Sequence, residues 1–155
     1  MVDLSQRRAV LVDFGIARSN ASGLHTVAAV RHAFTPHMAP PEQYAGGRSS
    51  PATDLYQLGA TAYYALSGTL PPEAVHRVVC DQLVDIAQCV PSLAQSRADA
   101  IRRALALDPA LRPASAAQMR ARWSGATTAA PPITGVSPRA LDTYRRMGAF
   151  DIRKR

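Results

Sequence analysis

The strongest helix signal in the chain is the stretch Asp54-Leu55-Tyr56-Gln57-Leu58-Gly59-Ala60-Thr61-Ala62-Tyr63-Tyr64-Ala65-Leu66-Ser67. Thr53 or Asp54 can cap its N-terminus, and Gly68 stands where a left-handed residue ends a helix. Between these ends almost no polar face remains, and a helix that is apolar on every side must be buried on every side. The stretch predicts a buried central helix over 54–67 in a mainly α domain.

The residues that follow predict further helices. They are a short helix within 73–89 that leads into a loose connection, a helix over 97–107 that Asp108-Pro109 ends, and a last helix from Ser115 through Trp123. Ser115, with Gln118 three residues on, has the form of a capping box. This half of the chain is therefore predicted to be helical.

The residues before the central helix predict a different structure. The apolar run 9–12 indicates a short buried strand, which leads into Asp13-Phe14-Gly15. Residues 16–38 show no helical or strand period and predict a loop. A carboxylate is a hard oxygen ligand of the kind Mg²⁺ prefers, and Gly15 permits a sharp turn behind it. Asp13 is therefore a candidate metal ligand, although three residues alone also fit a strand that ends in an ordinary turn.

Three further motifs follow Asp13-Phe14-Gly15 in order along the chain. They are Ala39-Pro40-Pro41-Glu42-Gln43-Tyr44, Ser50-Pro51-Ala52-Thr53-Asp54-Leu55-Tyr56-Gln57-Leu58-Gly59-Ala60-Thr61 and Leu107-Asp108-Pro109-Ala110-Leu111-Arg112-Pro113-Ala114-Ser115. Together the four motifs resemble the C-lobe of a bacterial eukaryotic-like (Hanks-type) serine/threonine protein kinase, over about residues 9–123. The resemblance implies a partial kinase-like C-lobe with a short N-terminal β-strand, and it makes the loop over 16–38 the activation segment.

The resemblance also implies roles for residues near the loop. Asp13 would hold the Mg²⁺ that bridges the ATP phosphates, and Phe14 and Gly15 would complete that cofactor-binding motif. Thr35 falls where these kinases have the substrate-facing threonine beside the catalytic base. His37 and Met38 depart from the Gly or Gln and the aromatic residue usual there, which puts the ordinary substrate pocket in doubt. His37 is interpreted as an exposed loop histidine.

Two further roles implied by the resemblance are structural. Glu42 and Arg112 are seventy residues apart and would pair, because the planar guanidinium suits bidentate contact with a carboxylate. That pair would join the end of the activation segment to the turn before the last helix. Asp54 would accept backbone N–H groups of the catalytic loop in a kinase, and in this chain it would serve equally as a helix cap.

Several catalytic parts of a kinase are not in this sequence. It contains no Gly-rich phosphate loop and no His-Arg-Asp, and its one lysine, Lys154, is the next-to-last residue. Phosphoryl transfer depends on positioning and charge stabilisation, so one Mg²⁺ ligand without a base or an ATP anchor cannot assemble that site. The leading interpretation is a fragment of a serine/threonine kinase, which uses Mg²⁺ and ATP when intact and is inactive as this chain alone. The alternative is a non-catalytic kinase-like binding or regulatory module.

Composition sets the remaining expectations. The 155 residues suit one domain followed by a tail. The domain is a partial kinase domain over 1–124, and residues 125–155 are a flexible linker and basic tail. Within the tail, residues 138–149 predict a short helix. The net charge is +7, and seventeen of the eighteen basic residues are arginines. That bias is typical of genomic base composition, so no nucleic-acid partner is expected, although the six basic residues of the tail leave a module for nucleic acid or anionic lipid as a third hypothesis.

Location and partners follow from the same patterns. No stretch is long and apolar enough for a membrane span and the N-terminus has no signal pattern, so a cytoplasmic protein is expected. Cys80 and Cys89 lie nine residues apart without a metal-binding spacing and predict two buried, reduced thiols. The expected partners are a protein substrate or a complementary N-terminal kinase half. Self-association is also expected, because the helix that precedes the catalytic loop in kinases is not in this chain to cover 54–67.

Overall fold

The computed structural model describes residues 35–45 and 49–126 and the backbone of two short strands near the N-terminus. Strands β1 (Val2–Asp3) and β2 (Arg8–Ala9) pair antiparallel, with Val2 opposite Ala9. Of the strand predicted over 9–12, Ala9 is therefore observed in a strand, and residues 10–12 lie outside the described residues. The predicted linker from residue 127 and the basic tail also lie outside them.

Helices account for most of the described residues. They are α1 (Pro41–Tyr44), α2 (Pro51–Ser67), α3 (Ala74–Val79), α4 (Ile86–Cys89), α5 (Gln95–Ala104), a 3₁₀ turn (Pro109–Leu111) and α6 (Ala116–Trp123). The mainly helical class is confirmed. The stretch 73–89 holds two short helices, where the sequence predicts one helix and a loose connection.

The central helix α2 begins earlier than its sequence pattern indicates. Its N-cap is Ser50, whose backbone N–H donates to Thr53 Oγ1 at 3.2 Å, and Pro51 occupies the first helical position. Proline suits that position because it has no N–H to leave unpaired and its φ is already helical. The prediction that Thr53 or Asp54 caps the helix is therefore wrong. The predicted stop is confirmed, because Gly68 is left-handed at φ 70° and its N–H donates to Tyr64 O at 2.8 Å.

The core lies on the inner side of α2, against α5. Tyr56 and Tyr63 of α2 are buried in one cluster with Ile101 and Leu105. Gly59 lies where the two helices are in close contact, since a Cβ atom added there would stand 2.6 Å from the Cβ of Ala104. A side chain at residue 59 would therefore push the helices apart, and the close packing depends on glycine.

The outer side of α2 is not covered. Leu58 is 50% exposed and Tyr64 is 47% exposed, and Thr61 and Ala65 are also exposed. The described elements pack against one side of the helix only. The burial on every side that the apolar pattern predicts is therefore not found in the described residues, whereas the exposed side agrees with the expectation that the helix which covers 54–67 in kinases is not in this chain.

The ends of the other helices depend on side chains from elsewhere in the chain. Helix α5 ends at Ala104, three residues before the predicted end, because the carbonyls of residues 105–107 accept hydrogen bonds from arginine side chains. Asp85 caps α4 and accepts from the N–H of Ala87 at 2.9 Å. Burial acts to raise the pKa of Asp85, but its hydrogen bonds to Arg102 and to that N–H hold it below its usual range.

The last helix begins as predicted, since Ser115 Oγ accepts from the N–H of Gln118 at 3.1 Å.

The two cysteines differ from their prediction. Cys80 and Cys89 are both free but exposed, because each stands at the C-terminal end of a short surface helix. None of the helices in the described part of the chain is both long and apolar enough to cross a membrane.

Candidate functional site

The segment 35–45 holds the described end of the predicted activation loop. Thr35 is exposed, and its carbonyl accepts from the N–H groups of Met38 at 3.1 Å and Ala39 at 3.2 Å. This tight turn leads into α1. Asp13, Phe14 and Gly15, like the loop up to residue 34, lie outside the described residues, so their predicted cofactor role stays a prediction.

His37 ties this turn to the loop that precedes α3. Its backbone is left-handed, at φ 69°, which is uncommon for a residue with a side chain. Its Nδ1 lies 2.9 Å from the carbonyl oxygen of Pro71, and its Nε2 lies 3.9 Å from Glu73 Oε1. A carbonyl only accepts, so Nδ1 carries the proton. The histidine predicted to be an exposed loop residue is thus partly exposed and anchored.

Tyr44 makes a second connection to the same loop. Its hydroxyl donates to Glu73 Oε2 at 3.2 Å. Burial, together with the negative charge of Glu73, raises the pKa of Tyr44, so the hydroxyl keeps its proton for this hydrogen bond. Glu73 therefore faces both His37 and Tyr44, and the two ends of segment 35–45 contact one acidic side chain.

Glu42 and Arg112 lie in contact, seventy residues apart in sequence. Arg112 Nη1 is 2.6 Å from Glu42 Oε1, and Nη2 is 3.0 Å from Oε2, which is a bidentate geometry. The remaining guanidinium hydrogens are directed to the carbonyls of Ala106 at 2.7 Å, Ala52 at 3.1 Å and Leu107 at 3.1 Å. The five N–H groups of a guanidinium are thereby all used. The Arg112 side chain is fully buried, so the charge is compensated without help from solvent.

The contacts of this pair extend through the core to a second arginine. Thr53 Oγ1 donates to Glu42 Oε1 at 3.1 Å, and the Arg112 guanidinium lies 4.9 Å from the centre of the Tyr56 ring. The Tyr56 hydroxyl accepts from Arg77 Nη1 at 3.1 Å. Burial raises the pKa of Tyr56, and the nearby cations Arg77 and Arg112 oppose that rise.

Arg77 closes the series at α3. It forms a bidentate pair with Asp81, at 2.9 Å and 3.0 Å, and its Nη1 also donates to Leu105 O at 3.0 Å. We call the connected side chains the arginine network; its members are Glu42, Thr53, Tyr56, Arg77, Asp81 and Arg112. The arginine network joins α1, α2, α3 and the end of α5, which fixes segment 35–45 on the helical body.

Sequence reasoning missed four of the six members of the arginine network, since only Glu42 and Arg112 were predicted to pair. The spacing of Arg77 and Asp81, four residues apart, is a signal for a pair on consecutive turns of a helix. Tyr56 offered no such signal, because in an apolar helix it is indistinguishable from other core residues. Asp54 lies apart from the arginine network, exposed in the first turn of α2, and neither occupies the N-cap of that helix nor contacts Arg112 in the described contacts.

The described residues offer little for a cofactor. Among residues 35–45 and 49–126, no three His, Cys, Asp or Glu side chains are grouped so that they could hold a metal ion. A small apolar depression lined by Tyr63, Val84, Ile86 and Ile101 encloses about 20 Å³. Pockets for small-molecule ligands measure roughly 300–1,000 Å³. The described part of the site therefore consists of segment 35–45 and the helices that hold it in place.

Comparison with known proteins identifies the family. The chain is 40% identical over 116 residues to the serine/threonine-protein kinase PknK of two strains of Mycobacterium tuberculosis and of Mycobacterium bovis. The match covers 70% of this chain and 10% of the relatives, so the chain spans about a tenth of their length. No protein-family model matches the sequence.

A solved structure agrees with these relatives. The apo form of PpkA-294, a protein kinase, superposes with a TM-score of 0.54 at 32% sequence identity, over 58% of this chain and 32% of that one. The superposed part of this chain is therefore folded like part of a kinase domain. The chain is therefore related to a part of the bacterial eukaryotic-like serine/threonine protein kinases, and its described helical part has a fold like that of their C-lobe.

Proposed function

We propose that this chain supplies the C-lobe portion of a serine/threonine protein kinase and takes part in ATP-dependent phosphorylation of protein Ser or Thr together with a complementary portion. The observation that carries the proposal is the Glu42–Arg112 pair. It holds segment 35–45, the sequence stretch that resembles the end of a kinase activation segment, against the turn that precedes the last helix.

The arginine network supports a segment that must keep its position. A buried, fully hydrogen-bonded arginine is costly to displace, because its removal from Glu42 leaves a charge without a partner. Thr35 lies just before this anchor and is exposed, as a residue that faces a protein substrate must be. The His37 and Tyr44 contacts with Glu73 hold the same segment from its other side.

Mg²⁺ and ATP do not fit the residues of this chain alone. Asp13 is the one residue of the sequence to which a Mg²⁺ role is carried over, and Mg²⁺ gives up its water shell reluctantly to a lone carboxylate. The base and the phosphate anchors that kinases use are not in the sequence. In this proposal the complementary portion therefore supplies them, and the isolated chain binds nucleotide poorly and transfers no phosphoryl group.

A radiolabelled-ATP assay tests the proposal. The isolated chain is expected to label neither a protein substrate nor its own Ser19, Ser22, Thr26 or Thr35. Joined to the portion of PknK that precedes the matched region, it is expected to become active, and Asp13→Ala is expected to abolish that activity. The control is Asp108→Ala, which removes a partly buried carboxylate that caps the 3₁₀ turn and to which no Mg²⁺ role is carried over.

Two results would contradict the proposal. If the isolated chain is active and Asp13→Ala abolishes that activity, the chain itself must contain the base and the phosphate anchors that we consider absent. Activity of the joined chain that survives Asp13→Ala would remove Asp13 from the metal site. An inactive joined chain that is folded would favour the second candidate function below.

The second candidate is a non-catalytic kinase-like binding or regulatory module. It is favoured by one observation, that the sequence contains no His-Arg-Asp and no lysine before Lys154. The coding sequence upstream of Met1 discriminates between the two. A continuation that encodes a Gly-rich loop, a Val-Ala-x-Lys strand and His-Arg-Asp supports the kinase portion, and a promoter with a ribosome site supports the module.

The charge distribution bears on the remaining hypothesis of a nucleic-acid or lipid partner. Residues 35–45 and 49–126 contain seven arginines and seven acidic residues, so this part is formally neutral, and the excess positive charge of the chain belongs to the other residues. The kinase-like body therefore has no net charge with which to attract a polyanion. A cytoplasmic location, where protein kinases meet ATP, is part of the proposal.

A further inference from the structure

Segment 35–45 carries a histidine at a position whose backbone favours glycine. His37 has φ 69°, a left-handed conformation that a residue with a Cβ atom adopts at a cost and glycine adopts freely. The resemblance to kinases also places Gly or Gln, and not His, at this position. A side chain that is present despite the cost to its backbone points to the contacts that it makes.

Those contacts join both ends of segment 35–45 to the loop before α3. His37 Nδ1 donates to the carbonyl oxygen of Pro71 at 2.9 Å, and Nε2 lies 3.9 Å from Glu73 Oε1. Pro71 is fully buried, so its carbonyl is a fixed acceptor. The Tyr44 hydroxyl donates to the second carboxylate oxygen, Glu73 Oε2, at 3.2 Å. We call His37, Tyr44, Glu73 and the Pro71 carbonyl the His37 clamp.

The His37 clamp has a different number of donors in each charge state of the ring. In the neutral ring the proton on Nδ1 is used at Pro71, so Nε2 and the Glu73 carboxylate face each other as two acceptors. In the protonated ring both nitrogens donate, and Nε2–H faces a carboxylate of opposite charge. Because imidazole ordinarily changes its charge between about pH 5 and pH 8, the clamp should be tighter at the acidic end of that range.

Among the described residues, Glu73 is the charged group that faces the ring. Tyr44 stays neutral, because burial above all raises its pKa, although a hydrogen bond from the backbone of His37 opposes that rise. The remaining charged or titratable groups of α1 and α3 have other partners or face solvent. They are Glu42, paired with Arg112, Arg77, paired with Asp81, and the exposed His76.

We propose that His37 is a positioning residue for the protein substrate, and that the charge on its ring sets how tightly segment 35–45 is held. The exposed, substrate-facing Thr35 is two residues from His37, and its carbonyl closes the turn that contains the ring. A segment that is already ordered loses less conformational freedom when a substrate binds, so protonation should lower KM. The inference rests on the proposed function, which supplies the substrate, and adds to it a pH-dependent role for one side chain.

Amide hydrogen exchange in the isolated chain tests the His37 clamp without any activity. The exchange rate of peptide 35–45 is measured at pH 6 and pH 8 by mass spectrometry and divided by its intrinsic rate at each pH, which gives the protection. His37→Asn and His37→Gly both tolerate the left-handed backbone, and Asn keeps an N–H for the nearby carbonyl. Glu73→Gln keeps an acceptor for Tyr44 without the charge. His76→Asn is the matched control, since His76 is an exposed histidine of α3.

The expected result is protection that depends on pH only while both His37 and Glu73 are present. Because both side chains are partly exposed, protection should be about two- to threefold higher at pH 6 than at pH 8. His76→Asn should keep this ratio. His37→Asn, His37→Gly and Glu73→Gln should each remove it, and His37→Gly should also lower the protection at pH 8. A ratio of one in the unsubstituted chain, or a ratio that survives His37→Asn or Glu73→Gln, would overturn the proposal.

The kinetics of the chain joined to the preceding PknK portion test the positioning role. KM for a protein substrate should be about two- to threefold lower at pH 6 than at pH 8, beyond the change seen in His37→Asn. The pH dependence of kcat should be the same in the two chains, whereas a merely structural role would lower activity alike at both pH values. Equal KM ratios in the two chains would overturn the positioning role.

The two measurements separate this inference from the proposed function. If the exchange results are as expected and the joined chain transfers no phosphoryl group, the His37 clamp stands and the catalytic proposal fails. If the joined chain is active and its KM ratio is unchanged in His37→Asn, the catalytic proposal stands and the positioning role of His37 is wrong.

Discussion

The two faces of α2 have nearly the same apolar character but opposite environments. On the inner face, Tyr56 lies between two arginines and Gly59 lies against Ala104. On the outer face, Leu58 and Tyr64 are half exposed. The difference shows that the apolar character of a surface determines whether its burial is favourable. Whether that surface is buried depends on the neighbouring elements that are present.

The inner face also shows how charge can be accommodated in a core. Arg112 is fully buried, yet it contacts a carboxylate, three carbonyls and an aromatic ring. Because each of these groups compensates the charge, the outcome of a substitution depends on which partners it leaves unpaired. The comparison of the two faces can therefore be tested with single substitutions.

The largest effect is expected for Arg112→Ala. It removes the partner of Glu42 and the donor to three carbonyls, so the free energy of unfolding should fall by about 3–5 kcal/mol. Urea denaturation measures this loss. The control is Arg97→Ala, an exposed arginine 5.6 Å from the Trp123 ring, which should cost about 1 kcal/mol or less. A loss below about 0.5 kcal/mol for Arg112→Ala would mean that the pair is not buried in solution.

Tyr56→Phe should have the next largest effect. It keeps the ring under Arg112 but removes the hydroxyl that accepts from Arg77, and a hydrogen bond to a charged group contributes about 1.5–3 kcal/mol. Tyr64→Phe is the matched control on the outer face and should change stability by less than about 0.5 kcal/mol. If the two substitutions cost the same in urea denaturation, the connection between the two arginines contributes nothing measurable.

Gly59→Ala should destabilise by a smaller amount. Alanine has the higher helix propensity by about 1 kcal/mol, but its Cβ would meet the Cβ of Ala104 at 2.6 Å, and overpacking typically costs about 1–3 kcal/mol. A net loss of roughly 1–2 kcal/mol is expected in a thermal or urea melt. Adding Ala104→Gly should recover part of it in a double-mutant cycle. A neutral or stabilising Gly59→Ala would show that α2 and α5 separate without cost.

The smallest effect is expected for Leu58→Gln in the isolated chain. Half of this side chain already faces solvent, so the change in unfolding free energy should stay within about 0.5 kcal/mol. Ile101→Ala, in the core that the inner face covers, should cost about 2–5 kcal/mol in the same urea series. A loss above about 2 kcal/mol for Leu58→Gln would show that the outer face is covered in solution.

Local signals in the sequence predicted the elements well but not their limits. The stop at Gly68 and the cap at Ser115 were predicted because each depends on residues within four positions of it. The start of α2 was misplaced because Ser50 and Pro51 lie outside the apolar stretch that defined the helix. The end of α5 was misplaced because the carbonyls of Leu105 and Ala106, just after it, accept hydrogen bonds from Arg77 and Arg112, which are not adjacent to α5 in sequence.

The sequence was sufficient for the helical class and the order of the motifs, because both are properties of the chain itself, and the resemblance of those motifs to a known family implied the pairing of Glu42 with Arg112. Packing determined the rest. Tyr56 joins two arginines, and the outer face is bare, because residues twenty to seventy positions apart converge on one side of α2 and leave the other side free. Convergence of this kind depends on the relative positions of whole helices, for which no local pattern carries a signal.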